Sequence, residues 1–130
     1  MKILVGFDGS NASRDALIVA REHAKAFNAQ VEVVTSMMSG TENQKKEIES
    51  AERQLEWAQS VFEEHGIDCQ THLLIRGLAP GEDIVKYADE NAVDEVVVGV
   101  KRRSRVGKIL LGSTAQYVII KAPCPVVSVK

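Results

Sequence analysis

The chain has 130 residues, 45% of them hydrophobic and 26% charged, with a formal net charge of −2. That length suits one domain, 1–130, and that balance belongs to a globular chain, not a disordered one. A net-negative chain is no general polyanion binder, so any nucleic-acid role would rest on a local basic patch.

The opening MKILVGFDGS has too few apolar residues before Asp8 for a signal-peptide core or a membrane span, which predicts a cytoplasmic protein. Residues 2–7 are an apolar run ended by the turn residues Asp8, Gly9 and Ser10, a strand and its exit. A helix starting at Ser10 or Asn11 follows, with Ala16, Leu17, Ala20, Ala24 and Phe27 at three- and four-residue steps. Residues 31–37 return to β-branched character and predict a second strand. The polar stretch 39–44, which contains Gly40, predicts a loop. Residues 45–65 predict a long amphipathic helix with Ile48, Ala51, Leu55, Ala58 and Phe62 on its apolar stripe and Gly66 as its stop.

A third strand is expected over 68–75. The turn 76–81 then leads into a third helix carrying Ile84, Val85, Ala88 and Ala92. Residues 94–100 are nearly continuous β-branched residues, the pattern of a strand buried on both faces. A fourth helix over 113–121 and a last strand over 125–129 complete a βαβαβαβαβ alternation. Such alternation implies an α/β fold: a doubly wound, five-stranded parallel sheet of order 3-2-1-4-5 with helices on both faces. Its switch point lies between the first and fourth strands, where ligands of such sheets bind outside the carboxyl ends. Gly6, Phe7, Asp8 and Gly99 stand at those ends.

Residues 99–114 read GVKRRSRVGKILLGST and hold five cations: Lys101, Arg102, Arg103, Arg105 and Lys108. A Walker A loop is excluded, because Ile109 stands where Gly107-Lys108 would need a hydroxyl and Arg102 replaces the first glycine. No GxGxxG is present either. Gly112 and the hydroxyls of Ser113 and Thr114 open a helix, and a helix N-terminus with its free N–H groups suits phosphate. The cations add charge nearby.

Plainer roles account for several of these residues. Asp8 also serves as a turn or cap residue, and Ser113 and Thr114 as helix caps. The basic run is also compatible with a solvated loop. Nucleic acid is disfavoured, since no aromatic residue interleaves the patch for base stacking. Trp57 reads as core or partner-facing. His23, His65 and His72 lie far apart with no metal spacing, and Cys69 and Cys124 read as buried free thiols. The sequence contains no nucleophile–base or paired-carboxylate arrangement, so a switch fits better than a catalyst.

The segments VGFDGS, RGLAPGEDIV, VVVGV, VGKILLGST and PCPVVSV together resemble the universal stress protein family over essentially the whole chain. The resemblance implies a Rossmann-like, adenine nucleotide alpha hydrolase-like fold. Its ATP-binding members carry Gly-x2-Gly-x9-Gly-Ser/Thr after the fourth strand. Here the first glycine is Gly99, the third is Gly112 and the hydroxyl is Ser113, but the second position holds Arg102. The resemblance sets Asp8 toward the ribose or adenine, the backbone near Ser36 toward the base, and the turn at Gly112, Ser113 and Thr114 around the phosphates. The implied site is thus Gly6, Phe7, Asp8, Ser36, Gly99, Arg102, Arg103, Gly112, Ser113 and Thr114. Its ligand would be ATP or AMP, with or without Mg²⁺.

Arg102 leaves two families of outcome open. It either fits, at a cost on the order of 1 kcal/mol if φ is positive there, and can turn outward or clamp a phosphate with its charge, or it fills the phosphate volume. In the second case the chain is a dimeric interaction module without nucleotide. Slow ATP hydrolysis or autophosphorylation at Ser113 or Thr114 is a third reading. The short closing strand is expected at a sheet edge, and the resemblance implies a homodimer through Val126, Val127 and Val129. A further protein partner would read the nucleotide state.

Overall fold

The structure, a computed structural model, describes residues 1–39, 44–100 and 111–130, and the backbone of 103–105 and 108–110. The loop residue Gly40 and the cations Lys101 and Arg102 lie outside the described residues.

The elements are β1 (Lys2–Gly6), α1 (Asn11–Phe27), β2 (Gln30–Met37), α2 (Lys45–Glu63), β3 (Cys69–Ile75), α3 (Pro80–Glu90) and β4 (Glu95–Gly99), then β5 (Arg103–Arg105), β6 (Lys108–Leu110), α4 (Ser113–Lys121) and β7 (Val126–Val129). Five strands form one parallel sheet of order β3-β2-β1-β4-β7, which is the expected 3-2-1-4-5 order. The long β-branched runs drive this arrangement, because their side chains alternate between two buried faces. On one face Ile3, Val5, Val31, Val33 and Val97 pack under Ala16, Leu17 and Ala20 of α1 and Leu55, Ala58 and Phe62 of α2. On the other, Leu4, Val34, Val96 and Val98 meet Ile84, Tyr87 and Ala88 of α3 and Val118 of α4.

Local chemistry sets the helix ends. Ser10 caps α1 by accepting from the Ser13 N–H at 3.2 Å, and Asn28 ends it in the left-handed region at φ 53°. Pro80 opens α3, where a missing N–H costs nothing.

Several expectations are corrected. Residues 103–110, expected as loop, contain an antiparallel hairpin in which Arg103 faces Leu110 and Arg105 faces Lys108. Helix α2 ends at Glu63, two residues early, because Gly66 takes φ 70° only after a turn. Ala92 lies beyond α3, exposed and at φ 50°, and Phe27 is 58% exposed, so neither belongs to a buried stripe. Cys69 is buried as expected, whereas Cys124 is half-buried.

Candidate functional site

Parallel register brings three chain segments level at one end of the sheet. Gly6 pairs with Val34 of β2 on one side and Val98 of β4 on the other. Just beyond these ends, at the switch between β1 and β4, a cleft of about 290 Å³ opens. That is the lower edge of the size range of small-molecule sites, roughly 300–1,000 Å³. Eight of the ten expected site residues line it: Gly6, Phe7, Asp8, Ser36, Gly99, Gly112, Ser113 and Thr114. Arg102 lies outside the described residues, and Arg103 is described only as the backbone of β5. Val34, Ile84 and Val98 give the cleft an apolar floor, and Pro80 and Ala115 complete the α3–α4 side.

The β1 exit is pinned on both flanks. Phe7 donates its N–H to Val34 O at 2.9 Å and accepts from Thr35 Oγ1 at 2.7 Å. Asp8 then forms the turn expected of it: its Oδ1 accepts from the Ser10 N–H at 3.0 Å, which leaves the exposed carboxylate at the cleft mouth. Ser13, absent from the sequence expectation, also accepts from the Asp8 N–H at 3.4 Å and donates to Ser10 O at 2.9 Å.

Packing gives a reason for Gly99 that the sequence did not show. A Cβ on Gly99 would stand 2.4 Å from the carbonyl carbon of Ala12, 2.5 Å from its oxygen and 2.6 Å from the Ser13 nitrogen. Helix α1 thus seats directly on the β4 end, and this close approach by itself demands glycine there. The hydroxyls also shift role. Gly112 is the N-cap of α4, at φ −63° and ψ 153°, so Ser113 and Thr114 are its first helical residues and not its caps. Glycine brings no capping side chain, and the α4 N-terminus faces the cleft through residues Gly112, Ser113, Thr114 and Ala115. Its N–H groups and dipole favour an anion there.

Beneath Ser36 lies an ionic network that the sequence did not reveal. Asp83, 0% exposed, accepts from Ser36 Oγ at Oδ2 (2.7 Å) and from Arg76 Nε at Oδ1 (2.6 Å); Arg76 Nη2 forms an ion pair with Oδ1 at 2.6 Å and donates to the Asp83 carbonyl at 3.2 Å. Arg76 Nη1 reaches Glu90 at 2.8 Å. Partial burial works against the Arg76 charge, but its hydrogen bonds to Glu90 and Asp83 prevail and raise its pKa above the ordinary value. An acid in the first turn of a helix is ordinarily solvated, so nothing in RGLAPGED marks Asp83 for complete burial.

Trp57 is 45% exposed, its ring 6.3 Å from that of Phe7 and 5.2 Å below the Arg14 guanidinium, so it borders the site from outside. At the opposite end of the sheet, buried Glu32 accepts from the Tyr87 hydroxyl and pairs with Lys2 at 3.2 Å and His72 at 3.3 Å. Burial pushes the Glu32 pKa up, but Tyr87 and Lys2 outweigh it and hold the carboxyl below its usual value. Among the described residues no group of three His, Cys, Asp or Glu could hold a metal, and Asp8 is the only carboxylate lining the cleft. No helix among them is long and apolar enough to cross a membrane.

A doubly wound parallel sheet with a cleft at its switch point, entered by the N-terminus of a helix, defines the Rossmann-like class of α/β domain. Within that class the chain belongs to the universal stress protein family, whose sequence profile matches residues 1–130. It is 33% identical to a universal stress protein of Thermus aquaticus over 134 residues, covering 98% of this chain and 97% of that one. The fold is similar to a solved universal stress protein of Archaeoglobus fulgidus, with TM-score 0.91 and 37% identity over 100% of this chain and 98% of that one. It is also similar to the universal stress protein from Archaeoglobus fulgidus in complex with dAMP, with TM-score 0.85 and 34% identity at the same coverage.

Proposed function

We propose that this universal stress protein binds an adenine nucleotide, ATP or AMP, at the carboxyl ends of β1 and β4, and that occupancy of the site is its regulatory signal. The observation that carries this reading is the cleft itself. It opposes the carboxylate of Asp8 to the α4 N-terminus across a small apolar floor. A purine suits the Val34–Ile84–Val98 floor, a ribose hydroxyl can donate to Asp8, and a phosphate suits the helix end. The dAMP complex of the Archaeoglobus fulgidus relative supports the same ligand class. A cleft of about 290 Å³ suits a ligand of small-molecule size. The described residues offer no metal cage, so any Mg²⁺ would enter with the polyphosphate.

Calorimetric titration of nucleotide-free protein with AMP, and with ATP and Mg²⁺, tests the reading. Micromolar binding that Asp8→Ala weakens supports it. Absence of heat and of thermal stabilisation at millimolar ligand overturns it in favour of an interaction module.

A homodimer through β7 is part of this proposal. The strand lies at the sheet edge, with Val126, Val127 and Val129 only half-buried and one row of backbone groups open to pairing. A monomer mass by light scattering at tens of micromolar protein would contradict it.

A further inference from the structure

We infer that Asp83, held by Arg76, sets the hydrogen-bonding polarity of Ser36, so that the cleft selects a ligand presenting an amino group there. The inference rests on the nucleotide reading above and deepens it.

Ser36 and Val34 are two residues apart on β2, share one face of the strand, and both line the cleft. A serine hydroxyl has one proton and two lone pairs. The Ser36 proton is committed: Oγ donates to Asp83 Oδ2 at 2.7 Å. Asp83 cannot exchange roles, because a carboxylate only accepts, and its other oxygen is held by Arg76 Nε and Nη2 at 2.6 Å each. Complete burial removes water as an alternative partner for Asp83. Toward the cleft Ser36 therefore offers lone pairs alone. A ligand carbonyl or unprotonated ring nitrogen placed there would find no donor, or would draw the Ser36 proton away from Asp83 and leave a buried charge under-satisfied. An exocyclic amine donates into the lone pairs at no such cost. Asp83 touches no ligand and is a positioning residue, whereas Ser36 makes the contact.

Arg76 makes the relay reversible by design of one substitution. In Asp83→Asn, Arg76 needs an acceptor, so the amide oxygen takes the Oδ1 place and the NH₂ turns to Ser36. Ser36 then accepts from Asn and points its own proton into the cleft. Glu90 continues to balance Arg76 at 2.8 Å.

The test is calorimetry of the full chain with AMP and with purine riboside 5′-monophosphate, which lacks the 6-amino group and is otherwise the same. The wild type is expected to prefer AMP by about tenfold, the value of one strengthened hydrogen bond. Ser36→Ala should bind both nucleotides alike, and Asp83→Asn should lose or reverse the preference. Ser36→Ala takes one donor from Asp83 but leaves it the Arg76 guanidinium, and so carries the test even where Asp83→Asn folds poorly. Equal binding of both nucleotides by the wild type, or a preference that survives Ser36→Ala, overturns the inference and leaves the nucleotide reading standing. Binding of neither nucleotide by the wild type overturns both.

Discussion

Replacing Gly99 by alanine separates two explanations of one glycine. The new methyl would lie 2.4 to 2.6 Å from three atoms of Ala12 and Ser13, all of them backbone. Ordinary carbon contacts are about 3.5–4.0 Å, so the first turn of α1 and the end of β4 must part by about 1 Å. Overpacking that side chains can absorb costs about 1–3 kcal/mol. Here no side chain can rotate away, and the cost is expected to be at least about 3 kcal/mol. For a chain of this size each kcal/mol moves Tm by roughly 3–4 °C, so the melting point should fall by about 10 °C. Urea denaturation of nucleotide-free protein, followed by far-UV circular dichroism and Trp57 fluorescence, measures the change. Gly66→Ala is the reference: nothing described lies within 4 Å of its Cβ position, and its φ of 70° alone should cost about 1 kcal/mol. A Gly99→Ala protein within about 0.5 kcal/mol of wild type that has nonetheless lost nucleotide affinity would refute the packing argument. Gly99 would then be a ligand residue, as the family motif alone suggests.

Tyr87→Phe takes a donor from the buried Glu32 carboxylate and should cost about 1–3 kcal/mol in urea unfolding at neutral pH. Because the folded pKa of Glu32 is lowered from 4.5, its stabilisation is present above that value and is lost as pH falls through the lowered one. The gap between wild type and Tyr87→Phe should therefore narrow on acidification below about pH 4.5, and a gap constant with pH would contradict the assignment. The two thiols should also differ. Burial, then the charges of Glu63 and Asp68, push the Cys69 thiol up to about 12. Maleimide labelling of native protein at neutral pH should reach half-buried Cys124 first and Cys69 only on unfolding, and mass spectrometry showing equal native rates would disprove this.

The central sheet was legible because its inner strands β1, β2 and β4 are largely buried and its helices carry apolar residues at helical spacing. Val96, Val97 and Val98 can hardly be anything but an inner strand. The β5–β6 hairpin escaped because three-residue strands such as Arg103–Arg105 are too short for a period and too charged for a burial signal. Asp8 and Gly112 were visible as punctuation after a strand and before a helix. Ser13, Ile84 and Asp83 were not, since each comes to the cleft through helix placement, which depends on residues far along the chain. Gly99 was found for an incomplete reason: a motif records that glycine is needed, and only the packing shows that Ala12 requires it.

Helix α1 is fastened at two places along β4. Near its start, the backbone of Ala12 rests on Gly99, and farther along, His23 Nδ1 donates to the Glu95 carboxylate at 3.1 Å. Those anchors lie at opposite ends of the strand, so α1 can neither slide along the sheet nor tilt away from it without breaking one of them. The opposite side of the cleft is hung differently. Helix α4 leans on α3, where a Cβ at Gly81 would stand 3.0 Å from Tyr117 Cβ, and it joins β7 at the sheet edge. The two walls of the cleft are thus seated on different parts of the sheet, one across the full length of the inner strand β4 and the other on a neighbouring helix and the outermost strand.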